Sequence, residues 1–355
     1  MTYQIKRLFV LAGCVCFIAA AFSYVNAMCD CFGLCPKKNK IHPPNPPFIS
    51  VSCSQDFSCK KNSVSFGLWS TTPKESFKSI FFNKEIFFVL ADGHGKDSRK
   101  KNKIATRVCR KIIDYAYKLV DVVDEIDVKL FNQVFARIDI ELIQDCSGAS
   151  GSTASFVWVA GKKVYVATVG DSRVLWCDKS GSFNTSVDHN LKTNRQEQQR
   201  IEEAGYIGSV KDRKLLGLDV TRSMGDGDKK GYKVLTQNEY GKAVYSDYFM
   251  SQAFGGFLAG EYFLNYKRFG LSALPDCYSV SRDELSFIVI ASRELWKSMS
   301  SDDVATFVQK KICTLQQKDG FCRSTCAEEI ARDLAFNVPN VAFWGHDLSV
   351  VVILF

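Results

Sequence analysis

The 355-residue sequence is short of several things that would narrow its class at once. Proline is scarce, at eight residues, and four of them fall at Pro43, Pro44, Pro46 and Pro47, so low-complexity coil is confined to one stretch. Beyond the N-terminus no apolar run reaches the roughly 18 residues of a membrane span. Neither sign of charge dominates: 46 Lys and Arg stand against 38 Asp and Glu, and this spread-out net of +8 does not by itself call for nucleic acid. No internal repeat is apparent, which excludes solenoids and propellers. Histidine is rare, with four residues, and only His42 lies near Cys29, Cys31 and Cys35. Their C-x-C-x3-C spacing is loose for zinc.

What is present argues for a globular body. Hydrophobic residues make up 46% of the chain and include 27 Phe, which rules out a mostly disordered polymer. The length allows two domains or one large one. Lys6 and Arg7 precede an uncharged apolar stretch, Leu8 to Phe22, and then the small-residue site Val25-Asn26-Ala27. This is the pattern of a signal peptide, so residues 1–27 are expected to be removed and the remainder to enter the secretory pathway. An uncleaved anchor, with or without palmitoylation, is the alternative. Twelve Cys remain after residue 27, an even number that suits disulfides in an oxidising compartment. Connectivity cannot be read from spacing. Pairing among Cys29, Cys31, Cys35, Cys53 and Cys59, and from these to Cys322 or Cys326, is the expectation. Residues 28–61 read as a Cys/Pro-rich linker and 62–355 as the domain.

Within the domain, Ser63–Trp69 and Ser79–Ala91 read as strands, the second turning near Asn83-Lys84. Ser98–Val120 and Glu125–Asp145 carry apolar residues at helical spacing. Ser152–Ala160, Val164–Val169 and Ser172–Cys177 are strands rich in Val, Trp, Tyr and Thr. A short helix at Asn194–Ala204, a strand at Leu285–Ala291, helices at Ser300–Gln317 and Thr325–Phe336, and a last strand at Asp347–Phe355 complete the outline. Residues 231–270 read as a flap or insertion. Strand-rich halves with paired helices imply two packed sheets flanked by helices, an α+β class.

Six motifs occur in order: Asp92-Gly93-His94-Gly95 after the buried strand from Phe87, Gly151-Ser152-Thr153-Ala154, Gly170-Asp171-Ser172-Arg173, Val187-Asp188-His189, Arg200 to Gly205, and Leu218 to Asp226. Together they resemble the type-2C (PPM-type) metal-dependent Ser/Thr protein phosphatases. The resemblance implies a four-layer β-sandwich of two antiparallel sheets flanked by helix pairs. It also implies a binuclear Mg²⁺ or Mn²⁺ centre held by carboxylates and water, which hard cations prefer. On that resemblance Asp92 and Gly93 are metal ligands, His94 is the leaving-group acid, and Asp171 lies near a further metal position.

Other ligand positions are replaced. Lys74 stands for a Glu, with Glu75 as a stand-in for the neighbouring Asp. Arg293 and Lys297 replace the two Asp residues of the family's Ala-Ser-Asp-Gly-Leu-Trp-Asp. His346 replaces the last ligand, and Asp347 could serve only if the final strand slipped by one residue, which would invert its faces. The swing is about seven charge units toward positive around a site meant for cations, where unit charges ~4 Å apart interact by ~4 kcal/mol at an effective dielectric of ~20. Divalent binding is therefore expected to be lost or weak, with Arg293 pairing Asp92 in the metal's place. Three readings follow. One is a secreted, inactive phosphatase-like module, without a cofactor, that binds a protein partner, phosphorylated or not. The second is an active Mg²⁺/Mn²⁺ phosphatase rebuilt on Glu75, Asp92, Asp171 and Asp347. The third is an anion- or nucleotide-binding module using Lys74, Arg293 and Lys297. No nucleic acid and no membrane span in the mature chain are expected.

Overall fold

The structure, a computed structural model, describes residues 51–57, 64–70, 75–82, 85–95, 98–120, 127–145, 150–230, 234–237, 243–245, 270–317, 322–338 and 348–355. The expected signal segment 1–27 and most of 28–61 lie outside the described residues, as do Lys74, His346 and Asp347.

Alternation decides the architecture. In β4 (Glu85–His94), Phe87, Val89 and Ala91 point to one face while Ile86, Phe88 and Leu90 point to the other, and all six are buried. A strand buried on both faces needs an apolar layer above and below it. The first face packs beneath α1 (Ser98–Leu119) and α2 (Val128–Asp145), whose Ile104, Val108, Ile112, Phe135 and Ile138 supply the cover. The second face meets another sheet through Val157, Val166, Ile288, Ile290, Val351 and Ile353. That other sheet is covered in turn by α5 (Arg293–Ser298), α6 (Ser301–Gln316) and α7 (Arg323–Phe336), packed on Phe287, Val289, Val350 and Val352. The result is the expected α+β sandwich, with its main layers in the order helices, sheet, sheet, helices.

The first sheet runs β10 (Met224–Gly225), β5 (Gly151–Ser152), β4, β6 (Ala154–Ala160), β7 (Lys163–Val169), β13 (Asp276–Ser281), with β3 (Glu75–Phe82) also on β4. The second runs β1 (Val51–Phe57), β2 (Val64–Ser70), β15 (Ser349–Leu354), β14 (Leu285–Ala291), β8 (Arg173–Asp178), β9 (Phe183–Thr185). All pairings within both sheets are antiparallel. In the register of β14 on β15, Ala291 faces Val350 and Ile290 faces Val351. A one-residue slip would drive Val351 and Ile353 out of the inter-sheet layer, each a loss of about 1.5–3 kcal/mol of burial.

Two short helices, α3 (Arg195–Glu203) and α4 (Ile207–Asp212), close a small satellite core of Leu191, Ile201, Leu215 and Leu271. Asn194 caps α3 by accepting the Glu197 N–H, and Ser300 with Asp303 forms a capping box on α6.

Several elements differ from the sequence reading. β1 falls inside the stretch expected to be linker and pairs along its whole length with β2. β3 starts at Glu75, four residues ahead of the expected strand. β13 was not expected because it is a half-exposed edge strand in which Asp276, Ser279 and Ser281 dilute the apolar signal. In the expected flap, β11 (Val234–Gln237) and β12 (Ala243–Tyr245) pair with each other, and apart from Gly270 the remainder lies outside the described residues. No disulfide joins two of the described cysteines, and the expected partners of Cys322 and Cys326, namely Cys29, Cys31, Cys35, Cys59 and the side chain of Cys53, lie outside the described residues. Among them, too, no helix is long and apolar enough to cross a membrane.

Candidate functional site

The site is built at strand ends. β4 delivers Asp92, Gly93 and His94 to its last three positions, where Gly93 lies opposite Ser152 and His94 opposite Gly151. β5 pairs onward with β10, so Gly225 also faces Gly151. Three adjacent strands thus bring His94 and Asp226 together across a glycine. His94 Nε2 lies 2.5 Å from Asp226 Oδ2. A Cβ on Gly151 would collide with that oxygen and sit 2.6 Å from the His94 nitrogen, so only glycine leaves the pair room to meet.

Asp226 is 1% exposed and adopts φ +52°, a left-handed conformation that Asp tolerates better than most residues. Ser223 Oγ donates to its Oδ2 at 2.7 Å. The loop that carries it is clasped to α2 from below. Gly225 N–H donates to Asp139 Oδ1 at 2.6 Å, and Lys230 Nζ donates to both Asp139 oxygens at 2.8 Å and to the Ser223 carbonyl at 2.7 Å. Both members of the Lys230–Asp139 pair are buried. Burial alone would depress the His94 pKa. The charge and hydrogen bond of Asp226 outweigh it, Asp92 and Asp171 add to them, and the imidazole is held above its ordinary value. Burial would raise Asp226, but His94, Ser223 and Lys230 hold it below the usual carboxylate range.

Asp92 is fixed through its backbone. Its N–H donates to Thr153 Oγ1 at 3.2 Å, and its carbonyl accepts from the Thr153 N–H at 2.9 Å and from Ser152 Oγ at 3.1 Å. Glu75 lies opposite Asp92 in the β3–β4 register, and its side chain lies outside the described residues.

Asp171 sits in the turn between β7 and β8 and is 6% exposed. Gly170, at φ +100°, makes that turn and donates its N–H to the buried His189 Nδ1 at 3.0 Å. Burial pushes the Asp171 carboxyl up to about 6. Arg293, His94 and Lys297 pull it down, while Asp188 pushes it further up.

Arg293 does not pair with Asp92, which corrects the expectation. Its Nε lies 3.3 Å from Asp171 Oδ2 and its Nη1 lies 3.3 Å from Asp219 Oδ2. The reason is topological. α5 begins where β14 ends, and Ala291 at that end pairs with Arg173 of β8. The helix start therefore emerges over the β7–β8 turn that bears Asp171, not over the end of β4. Asp219 is shared with Lys192 Nζ at 3.2 Å. Lys297 pairs with Glu294 on its own helix at 2.6 Å, half-exposed.

These groups line a cleft of about 270 Å³, with Asp171, Asp188 and Asp219 on its walls beside Arg173, Lys192, Arg293 and Lys297. Arg173 is saturated: its Nε and Nη2 hold Asp188 at 2.9 and 2.8 Å, Nη1 donates to Ser301 Oγ, and the guanidinium lies over the Trp296 ring. A binuclear Mg²⁺ or Mn²⁺ centre needs several oxygen ligands converging on each ion. Among the described residues no three His, Cys, Asp or Glu side chains converge in that way. Asp226 is engaged by His94, and a guanidinium stands beside Asp171. The described residues do not fit the metal pair.

Asp226, Asp188, Asp219, Lys192 and Asn190 were not singled out from sequence. Asp226, Asp188 and Asp219 do lie in quoted motifs, but their partners are 132, 15 and 74 residues away and only the register brings them together.

Residues 83–338 match the family model described as "Protein phosphatase 2C". The integrin-linked kinase-associated serine/threonine phosphatase 2C of Homo sapiens is 25% identical over 298 residues, covering 76% of this chain and 65% of the relative. Probable protein phosphatase 2C 2 of Oryza sativa subsp. japonica is 29% identical over 231 residues, covering 64% of this chain and 49% of the relative. The chain thus spans less than two thirds of the length of these curated relatives. Among solved structures, a serine-threonine phosphatase 2C from Toxoplasma gondii superposes with a TM-score of 0.56 at 15% identity, covering 88% of this chain and all of that one. That likeness speaks to the fold.

Proposed function

The chain belongs to the protein phosphatase 2C family, whose members normally depend on Mg²⁺ or Mn²⁺, and we propose that within it this chain is a catalytically inactive module that binds a protein partner. The observation that carries the reading is Arg293. It stands where the family places a metal-ligating Asp, and its guanidinium bridges Asp171 and Asp219. A divalent ion beside Asp171 would share the carboxylate with a fixed cation. At an effective dielectric of ~20 and a distance of ~4 Å, each pair of unit charges repels by ~4 kcal/mol, and a divalent ion doubles that. Lys74, Lys297 and His346, at the other replaced positions, act in the same direction. Asp92, Gly93 and His94 are then vestiges of the metal and acid positions, held in place by the strand register.

The signal pattern in residues 1–27 supports a secreted or luminal module. One relative is named for its association with a kinase, which supports a protein rather than a small molecule as partner.

One observation favours an active enzyme: the Asp92-Gly93-His94 turn is intact and His94 is held above its ordinary pKa, as a leaving-group acid requires. Glu75, Asp92, Asp171 and Asp347 would then be its carboxylates. The test is hydrolysis of an aryl phosphate by the full chain, with Mn²⁺ and with EDTA, beside Asp92→Ala. Absence of Mn²⁺-dependent turnover from folded protein is expected. Turnover that needs both Mn²⁺ and Asp92 would overturn the proposal.

A further inference from the structure

We propose that Asn184, on the exposed edge strand β9, is a site of N-linked glycosylation. The inference rests on the reading that residues 1–27 direct the chain into the secretory pathway, and it goes beyond that reading by naming a residue and a modification.

Of the fourteen Asn in the sequence, Asn184 alone is followed two residues later by Ser or Thr, in Asn184-Thr185-Ser186, and the residue between is not proline. This is the acceptor pattern for an N-linked glycan, a bulky and hydrophilic group that only a surface position can carry. The fold supplies that position. Asn184 is the middle residue of β9, which ends its sheet and pairs there with β8 alone. The register sets Phe183 opposite Cys177 and Thr185 opposite Leu175, on the face covered by helices, and Asn184 opposite Trp176 on the other face. Phe183 and Thr185 are half-buried, whereas Asn184 is exposed. The Asn184 amide makes no hydrogen bond among the described residues. Asn190 and Asn194, a few residues on, are buried, and each spends its Oδ1 on backbone N–H groups. Asn184 is thus free of the fold where its neighbours are committed to it.

The third residue of the pattern dates the attachment. In an extended segment residues two apart share a face, so the Asn184 amide and the Ser186 hydroxyl lie on one side while β9 is unpaired. In the finished fold Ser186 is 2% exposed and its Oγ accepts the Val174 N–H at 3.0 Å. The glycan is therefore attached before β9 docks on β8, and afterwards the hydroxyl is buried while the amide stays outside. In the transfer, a bond forms from Asn184 Nδ2 to the anomeric carbon of an oligosaccharide carried on a lipid pyrophosphate. The bond from that carbon to the pyrophosphate oxygen breaks, the lipid pyrophosphate leaves, and one amide proton passes to a base of the transferase; nothing is oxidised or reduced. The place also suits the product. A strand at a sheet edge presents unpaired N–H and C=O groups, which charge or proline commonly guards. β9 carries neither, and a glycan on its middle residue covers that edge.

The test expresses the full chain in a eukaryotic secretory host as wild type, Asn184→Gln and Ser186→Thr. Two quantities are read separately: the N-terminal residue of the product, and its electrophoretic mobility before and after treatment with a peptide-N-glycosidase. Asn184→Gln alters an exposed side chain without a hydrogen bond, so it leaves the fold intact. A single mobility step on enzyme treatment, lost in Asn184→Gln and kept in Ser186→Thr, is expected. A step that survives Asn184→Gln would overturn the assignment. A product that lacks residues 1–27 and shows no step would overturn the site and leave the secretory reading intact. A product that keeps residues 1–27 and shows no step would overturn both. A step with residues 1–27 still attached would support the site and replace the cleaved signal by the uncleaved anchor.

Discussion

Removing Arg293 gives a stability loss whose pH dependence is set by one carboxylate. Asp171 is 6% exposed and its folded pKa is pushed up to about 6 by burial, with Arg293 the largest opposing influence. Its unfolded value is about 3.9. A carboxylate whose folded pKa is raised weakens the fold as it ionises, so in the wild type the penalty accumulates between about pH 4 and pH 6 and then levels off. In Arg293→Ala the opposing charge is gone and the folded pKa climbs further. The penalty then continues to grow above pH 6, at up to about 1.4 kcal/mol per pH unit. Relative to wild type, the Asp171 share of the loss is near zero at pH 5, at most about 1.4 kcal/mol at pH 7 and at most about 2.7 kcal/mol at pH 8. The lost contact to the one-third exposed Asp219 adds at most about 1 kcal/mol, nearly constant above pH 5. Urea denaturation of both proteins at pH 5, 7 and 8 measures the difference. A loss that is the same at pH 5 and pH 8 would refute the reasoning, because Arg293 would then not be the partner of an ionised Asp171.

Other perturbations probe the same framework. Gly151→Ala places a methyl against Asp226 and His94 and should cost about 1–3 kcal/mol by thermal denaturation, with the His94 imidazole signals shifting in NMR. Lys230→Met removes the cation from the fully buried Asp139, leaving the Gly225 N–H on it, and should cost about 3–5 kcal/mol, part of it recovered when Asp139→Leu is added; no recovery would mean that the loop does not depend on the pair. Glu197 is held below the usual carboxylate range: burial opposes this, but the hydrogen bonds and charges of Arg200 and Arg222 prevail. Its contribution is therefore present above about pH 4.3 and lost as the solution becomes more acidic, so Glu197→Gln should be less stable at pH 7 and lose less on going from pH 5 to pH 3. An unchanged acid limb in the variant would assign that limb to other carboxylates.

The layered fold was legible because its signals are local. Phe87 to Ala91 and Phe287 to Ala291 are continuous apolar runs, which mean burial on both faces, and the helices around Ile104 and Ile138 show one apolar side each. β13 and β1 were not, since an edge strand has one wet side and a weaker pattern. At the site, Arg293 and Lys297 were visible in the sequence as basic residues where the family resemblance leads one to expect carboxylates. The partner of Arg293 was not, because the choice between Asp92 and Asp171 depends on which strand lies beside β14, a fact about sheet order. The His94–Asp226 pair was hidden for the same reason, being assembled through Gly151 by the register of β4, β5 and β10.

The place of β15 in its sheet has a consequence for biosynthesis. It follows every other described element in the chain, yet it lies between β2 and β14, with β1 beyond β2. Until Ser349–Leu354 has been synthesised, β1 and β2 have no neighbour on that side and the helices α6 and α7 cover an incomplete surface. The second sheet cannot close before that strand is in place. Until then the segment LSFIVIA of β14 has no partner on that side, and uncharged β-formers of that kind associate readily when exposed. Deletion of the final strand would not trim the fold at an edge but would split its second sheet down the middle.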